Sequence, residues 1–260
     1  MQETIVHGYR SFRGDVEIDS GLDIERQTQL MTYQVTLCGA DGVVVASDRC
    51  QLWQEQSRNS REWTKSKVKK LFIDDTKKIA WTFSGGYFSD VTAHYLRDFL
   101  AEHPGYDEPR VESAIRTCGN RACEAFVIKA NATDILVLIF AESRRILRAQ
   151  ISREGTIVQQ VENKQWVSGA TDSFVNFFPN HFCDAGDMSV DQLAQIAAYC
   201  VRMAHEDDSK YVDGLDIAIY RDSERRFEFG DRVFYWDQAA KFDGALRQFL
   251  RDRAGDSGSS

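Results

Sequence analysis

The run DILVLIFA at residues 134–141 constrains the fold of this chain more than any other stretch of its sequence. A strand with one face in water alternates apolar and polar residues, whereas this run is apolar at every position after its first residue. Continuously apolar strands are expected where both faces of a sheet are covered. The sequence therefore predicts a sheet that lies between other layers of the molecule.

Strands and helices are predicted in separate groups along the chain. Apolar residues at helical spacing predict four amphipathic helices, at 90–102, 108–130, 190–205 and 238–253. Strands are expected before, between and after them, and a long polar loop is expected at 51–66. This order is typical of an α/β (α+β) protein in which antiparallel sheets are flanked by helices.

Length and composition limit the organisation and the partners. With 260 residues, 43% of them apolar, the chain has enough apolar surface for one large domain, which we expect at 32–254. We expect an arm, a propeptide or an upstream segment at 1–31 and a flexible tail at 255–260. The net charge of −8 disfavours nucleic acid and anionic membranes as partners.

Localisation is predicted from the cysteines and from the absence of apolar spans. The six cysteines form no CxxC pair and most lie in apolar runs, which is typical of buried thiols in a reducing compartment. No apolar run approaches the ~20 residues that span a bilayer, and the first residues lack a secretory signal pattern. We therefore expect a cytoplasmic protein. The segment 205–208, HEDD, carries metal-binding atoms but reads as a solvated helix end, so no metal is expected.

The segment MTYQVTLCGADGVVVASD at 31–48 predicts a β-hairpin whose open end brings two polar side chains together. Two β-rich runs flank the turn residues GADG at 39–42, and an Asp-Gly pair in that position is a strong hairpin signal. With the turn centred between Ala40 and Asp41, Tyr33 lies opposite Asp48, and a register shifted by one residue would still place Thr32 beside Asp48. Thr32 and Asp48 are therefore expected to be neighbours.

A threonine at such a position has one well-defined chemical use. Its hydroxyl becomes a nucleophile when a base takes its proton, and an N-terminal threonine carries that base as its own α-amine, with a pKa of about 7.7–8.0. A lysine ammonium stabilises charge on the hydroxyl oxygen, an aspartate holds the lysine, and a backbone N–H at a glycine turn donates a hydrogen bond to the oxyanion. The sequence contains no GxGxxG, GxxxxGK[ST], GxSxG or HExxH motif that would indicate other chemistry.

The sequence offers each of these groups. Thr32 and Asp48 meet at the hairpin, the strand that follows begins with two lysines in VKKLF at 68–72, and glycines at 85–86 follow its partner strand. Each residue taken alone has a structural explanation. Their combination favours a site.

In type and spacing, these residues resemble the proteasome β-type subunits, including the bacterial HslV-like peptidases, which are N-terminal-nucleophile hydrolases. The resemblance covers roughly residues 32–220 and is carried by Thr32, by VVVASD ending at Asp48, and by VKKLFIDDTKKIAWTFSGGYFSD at 68–90. It implies a four-layer αββα sandwich of two antiparallel sheets flanked by helices. It also implies a threonine-type peptidase that acts on polypeptides within a self-compartmentalising homo-oligomeric ring. No cofactor is implied, and an unfoldase partner is left open.

The resemblance also implies roles for single residues. Thr32 falls on the nucleophile, Asp48 on the aspartate that orients the lysine, Lys70 on the lysine, and Gly85 on the oxyanion glycine. Ser168 in VSGA at 167–170 resembles the supporting serine of the family. The family also has an aspartate and a serine near the nucleophile after its last long helix, and Asp207, Asp208 and Ser209 occupy that region, with Asp208 our candidate.

One departure from the family leaves alternatives open. Family members that process themselves carry glycine before the nucleophile, whereas Met31 precedes Thr32 here. A non-catalytic structural subunit, in which residues 1–31 keep Thr32 inside the chain, is one alternative. The other is an amidohydrolase of the same fold that acts on a small amide.

Overall fold

The computed structural model describes residues 32–57, 60–125, 134–168 and 184–256. The predicted N-terminal segment at 1–31 lies outside these ranges, as do residues 257–260 of the predicted tail. Within them the elements follow the predicted order of strands, two helices, strands, and two helices that enclose late strands.

The predicted hairpin forms the centre of a five-stranded antiparallel sheet. Strand β1 (Gln34–Cys38) pairs with β2 (Gly42–Ser47), and Gln34 lies opposite Ser47, which confirms the register predicted from the Asp-Gly turn. The sheet is completed by β10 (Gln165–Ser168) beside β1, and by β11 (Asp216–Arg221) and β12 (Arg226–Phe229) beyond β2. The open end of the hairpin therefore lies inside the sheet and not at its edge.

A second five-stranded antiparallel sheet follows chain order. Its strands are β5 (Leu71–Asp74), β6 (Ile79–Ser84), β7 (Asp134–Phe140), β8 (Arg145–Ser152) and β9 (Gly155–Val161). The continuously apolar run at 134–141 contains β7, the central strand of this sheet.

The expectation of a polar loop at 51–66 was wrong. The segment forms a two-stranded antiparallel ribbon of β3 (Cys50–Ser57) and β4 (Ser60–Lys67), with Cys50 opposite Lys67. A main-chain ladder needs no apolar face, so a polar ribbon leaves no hydrophobic pattern in the sequence. At its base, the Val68 N–H donates to the Arg49 carbonyl at 2.8 Å.

Four α-helices lie within the described residues: α1 (Tyr87–Glu102), α2 (Glu108–Ala125), α3 (Val190–Asp207) and α4 (Arg232–Asp256). Helix α3 starts with a capping box between Ser189 and Gln192. Helix α1 has Gly86 as its N-cap and begins at Tyr87, three residues before its predicted start at residue 90. The last predicted turns of the second helix, from residue 126, lie outside the described residues. No helix in the described ranges is long and apolar enough to cross a membrane.

Three buried apolar clusters hold these elements together. One joins the first sheet to α3 and α4, with Val35 packed in the same cluster as Leu193. A second joins the second sheet to α1 and α2, with Leu136 in the same cluster as Leu96 and Ile115. Burial of these side chains is the main stabilising contribution to a fold of this kind.

The third cluster contains side chains from both sheets, among them Val43 and Val45 of β2 and Val137 and Ile139 of β7. Because successive residues of a strand point to opposite faces, their neighbours along each strand belong to the helix-facing clusters. Both faces of β7 are therefore covered, as its continuous apolar sequence predicted.

Candidate active site

Three strand ends meet at one point between the two sheets. Thr32 lies just before β1, Asp48 just after β2, and Lys70 just before β5. All three are buried, with exposed fractions of 4% for Thr32, 0% for Asp48 and 2% for Lys70. The hairpin register brings the first two together, since the Asp48 N–H donates to the Tyr33 carbonyl at 3.0 Å.

The Lys70 ammonium joins the other two side chains. Its Nζ lies 2.7 Å from Thr32 Oγ1 and 3.2 and 3.1 Å from the two carboxylate oxygens of Asp48. Charge-assisted hydrogen bonds of this length are strong, and a buried ammonium requires them. The threonine hydroxyl oxygen therefore accepts a hydrogen bond from a fixed positive charge.

Asp48 is held by backbone as well as by Lys70. The Tyr33 N–H donates to Oδ1 at 2.9 Å and the Cys50 N–H donates to Oδ2 at 2.7 Å. Burial raises the pKa of the Asp48 carboxyl, while the Lys70 ammonium and these two N–H groups oppose that rise. The carboxylate is thus fixed in orientation by the strand ends on either side of it.

The neighbouring lysine has a different environment. Lys69 is exposed, and its Nζ lies 5.5 Å from the ring centre of Phe72 and 5.2 Å from that of Phe229. Adjacent residues in extended backbone point in opposite directions, so the sequence KK presents one lysine to Thr32 and one to the surface.

Gly85 lies in the turn between β6 and α1 and has a φ of +110°. Residues with a Cβ rarely adopt this conformation, so glycine is required here. Gly85, Thr32 and Lys70 line one narrow cleft that is partly open to solvent. The other residues that line it are Cys50, Gln51, Leu52, Phe83 and Tyr211.

Ser168, at the end of β10, lies opposite Gln34 in the sheet. Its hydroxyl accepts a hydrogen bond from Gln34 Nε2 at 2.7 Å, and the same nitrogen donates to Ser84 Oγ at 2.9 Å. Ser84 directly precedes Gly85. Ser168 is therefore connected to the glycine turn through a buried amide, and the contacts described for its hydroxyl do not include Thr32.

Asp208 lies at the C-terminal cap of α3, and its backbone carbonyl accepts from the N–H groups of Tyr211 and Val212. This turn brings Tyr211, three residues later, to the wall of the cleft. Asp207 is the last residue of α3 and is exposed, and Ser209 accepts a hydrogen bond from Lys65 with its carbonyl. Among the described contacts, none joins the side chains of these three residues to Thr32 or Lys70.

Several residues of the site were not predicted. Gln34 carried a usable signal, because it is a long polar side chain two positions after Thr32 in the same extended segment and so shares its face. Asp134, whose carboxylate accepts a hydrogen bond from the Gly86 N–H beside Gly85, carried another signal as the acidic first residue of a continuously apolar strand. No sequence pattern pointed to Tyr211 or Phe83, since an aromatic residue near a strand end is common in any core.

In the described ranges, no group of three or more His, Cys, Asp or Glu side chains is arranged to hold a metal ion. The five described cysteines are free thiols, and burial raises the pKa of Cys38 to about 12. Cys183 lies outside the described residues.

Solved structures of similar fold exist, although no protein-family model and no curated protein sequence matches the chain. Anbu from Hyphomicrobium sp. strain MC1 is 14% identical, with a TM-score of 0.60 over 84% of this chain and 97% of that one. A Gly-1 mutant of the same protein is 15% identical, with a TM-score of 0.60 over 85% and 96%. Anbu from Yersinia bercovieri, described as an ancestral beta-subunit, is 13% identical, with a TM-score of 0.62 over 84% and 97%. At these identities the likeness shows the fold alone, which is proteasome-like.

Proposed function

We propose that this chain is a threonine-type peptidase of a proteasome-like, self-compartmentalising assembly in the cytoplasm, with Thr32 as its N-terminal nucleophile. One observation carries the proposal: the buried Lys70 ammonium lies 2.7 Å from the Thr32 hydroxyl and is held there by Asp48. The three apolar clusters support the four-layer sandwich that an N-terminal-nucleophile hydrolase requires.

In the first step, Thr32 Oγ1 attacks the scissile carbonyl carbon while its proton passes to the free α-amine of Thr32, directly or through a water. The carbonyl oxygen becomes an oxyanion, and the Gly85 N–H donates to it. Collapse of the tetrahedral intermediate breaks the C–N bond. The departing amine takes the proton, and the acyl group remains as an ester on Thr32.

In the second step, water attacks the ester carbonyl and gives its proton to the same α-amine. The second tetrahedral intermediate expels Thr32 Oγ1, which regains a proton, and the carboxylic acid product leaves. Lys70 acts in both steps by stabilising negative charge on the threonine oxygen, which lowers the pKa of the hydroxyl. Asp48 keeps the ammonium charged and in place.

Ser168 and Asp208 have supporting roles in this proposal. Ser168 acts through Gln34 on the turn that carries Gly85, in line with its hydrogen bond to the amide. Asp208 acts through its turn, which sets Tyr211 against the cleft. Neither side chain touches the reacting atoms in this scheme.

A homo-oligomeric ring completes the proposal, because a peptidase that accepts varied polypeptides has to be closed off from folded proteins. Exposed apolar side chains on β12 and on the first turns of α4 suit burial in an assembly. They are Phe229, Val233, Phe234 and Phe242, with exposed fractions of 42% to 70%.

The proposal requires that the Thr32 nitrogen be a free amine, because an amide nitrogen has no basicity to offer. The test expresses the full chain and a chain that starts at Met31, whose methionine is removed when a small residue follows. Intact mass, light scattering and fluorogenic peptides then report the N-terminus, the assembly and the activity. We expect hydrolysis only from protein that begins with Thr32, and none from its Thr32→Ala variant.

Three outcomes contradict the proposal. Full activity from protein with an intact Met31–Thr32 bond would refute the amine as the base. Inactivity of assembled protein with a confirmed Thr32 terminus, across varied peptides, would instead favour a non-catalytic subunit. Activity confined to small amides in a monomer would favour the amidohydrolase.

A further inference from the structure

Asp134, the first residue of β7, is a buried carboxylate that the proposed mechanism does not use. It is 1% exposed. In the second sheet Ile135 pairs with Ser84, so Asp134 lies beside the turn that follows β6. A buried carboxylate needs hydrogen-bond partners, and those of Asp134 come from this turn and from the start of α1.

Both oxygens of Asp134 accept backbone N–H groups there. Oδ1 accepts from Gly86 at 2.8 Å and Oδ2 accepts from Ser89 at 2.8 Å. Gly86 is the N-cap of α1 and has no side chain, so Asp134 provides from another strand the capping that an N-cap side chain usually gives. The negative charge also suits the helix N-terminus. This capping explains why α1 begins earlier than its sequence predicted.

Gly85 lies against the same carboxylate. A Cβ added at Gly85 would lie 2.6 Å from Asp134 Oδ1 and 3.0 Å from Asp134 Cα. The backbone of the turn is thus in contact with Asp134 at Gly85 and hydrogen-bonded to it at Gly86. A shift of the carboxylate therefore moves the peptide group on which the proposed oxyanion site depends.

We infer that Asp134 is the positioning residue of the oxyanion site, which holds the Gly85 N–H in the orientation that receives the oxygen of the tetrahedral intermediate. The inference rests on the proposed peptidase function and adds a residue to it. Asp134 acts through Gly85 and touches no reacting atom.

Two effects of this carboxylate on catalysis have opposite signs, and the difference makes the inference testable. A negative charge beside Gly85 disfavours a second negative charge on the intermediate, so its removal alone would raise kcat. The hydrogen bonds to Gly86 and Ser89 favour the intermediate by fixing the turn, so their loss lowers kcat. The inference holds that the geometric effect is larger.

Asp134→Asn separates the two effects. The amide keeps the size of the carboxylate and can accept one N–H, but its NH₂ group then faces the other N–H. In protein with a confirmed Thr32 terminus, we expect kcat to fall by about 10-fold to 100-fold while KM stays within about twofold, since a misplaced oxyanion donor costs less than the roughly 10²-fold to 10³-fold loss caused by removal of the donor. The affinity for a peptide aldehyde, whose adduct carries the same oxyanion, should fall by the same factor.

Asp90→Asn is the matched control, because Asp90 is a carboxylate of α1 with 5% exposure that pairs with His94. It should leave kcat within about twofold. A kcat that is unchanged or raised in Asp134→Asn, or a fall in kcat matched by a rise in KM without weaker aldehyde binding, overturns the inference and leaves the proposed function intact.

Inactive wild-type protein overturns the proposed function and this inference with it. If circular dichroism shows that Asp134→Asn does not fold, Asp134→Ser replaces it, because serine keeps one acceptor in a smaller side chain. The expected fall in kcat relative to wild type is the same. If neither folds, Asp134 serves the fold alone and the inference is wrong.

Discussion

The end of β2 and the start of β7 share one arrangement of hydrogen bonds, but with different partners. Each has a buried aspartate whose two oxygens accept two backbone N–H groups, from Tyr33 and Cys50 at Asp48 and from Gly86 and Ser89 at Asp134. Burial raises the pKa of both carboxyls.

What opposes that rise differs between the two regions. The pKa of Asp48 is lowered chiefly by the Lys70 ammonium, whereas the pKa of Asp134 is lowered by hydrogen bonds from the start of α1. The Lys70 ammonium lies at the end of a side chain and can interact with a third group besides Asp48. It donates a hydrogen bond to the Thr32 hydroxyl. A helix N-terminus is fixed in the backbone, so Asp134 orients a turn and supplies no charge to a reaction. In the proposed mechanism, the same residue type thus serves the chemistry in one region and the geometry in the other.

Among the changes that test this difference, replacement of Lys70 should have the largest effect on activity. Lys70→Ala is expected to lower kcat/KM by a factor on the order of 10³ or more, as for members of other catalytic triads, while circular dichroism shows a folded protein. Asp48→Asn should give a loss of the same order, because the ammonium then has no anion to hold it. A fluorogenic peptide assay measures both.

Lys69→Ala is the control for this experiment, since Lys69 contacts the rings of Phe72 and Phe229 and not Thr32. Its activity should stay within about twofold of wild type. Wild-type turnover in Lys70→Ala or Asp48→Asn would remove that residue from the mechanism.

The unpaired carboxylate should also change how stability depends on pH. Without Lys70, burial leaves the folded-state pKa of Asp48 above its unfolded value, so the folded protein binds the proton more tightly. The contribution of Asp48 to the stability of Lys70→Ala should therefore be most favourable at low pH and fall as pH rises through the window between the two pKa values. Near neutral pH the loss should reach about 3–5 kcal/mol relative to wild type, the usual cost of a buried charge without its partner.

Urea denaturation at a series of pH values measures this dependence. The double variant Asp48→Asn with Lys70→Ala lacks the carboxyl and should lose the extra pH dependence. An equal pH dependence in the single and double variants would show that another group is responsible.

Local patterns predicted one of these regions and missed the other. The hairpin register follows from the Asp-Gly turn, so the meeting of Thr32 and Asp48 could be read from 17 consecutive positions at 32–48. The Asp134 site depends on which strand pairs with β6, and 45 residues separate Asp134 from Ser89. No short-range rule fixes a contact over that distance. The polar ribbon at 50–67 was missed for another reason, because its ladder leaves no apolar periodicity.

Gln34 joins the two regions, and its replacement should have the smallest effect. Its Nε2 donates to Ser84 Oγ and Ser168 Oγ, so β1, which follows Thr32, is connected to the turn that Asp134 holds. Its Oε1 is buried and has no hydrogen-bond partner among the described residues. Gln34→Met keeps the length of the side chain, removes that unpaired oxygen and breaks both serine contacts.

Gln34→Met should lower activity while it leaves stability almost unchanged. Stability should change by less than about 1 kcal/mol, because loss of two neutral hydrogen bonds is offset by removal of a buried unpaired acceptor. Activity should fall about threefold to tenfold, in kcat and not in KM, because Ser84 is no longer tied to the strand of the nucleophile. Ser168→Ala is the comparison, since it removes the contact of Gln34 with Ser168 and leaves the hydrogen bond to Ser84. The kcat of Ser168→Ala should lie between those of wild type and Gln34→Met. Equal kcat values for Gln34→Met and wild type would mean that Asp134 fixes the glycine turn without help from β1, and the two regions would then be independent.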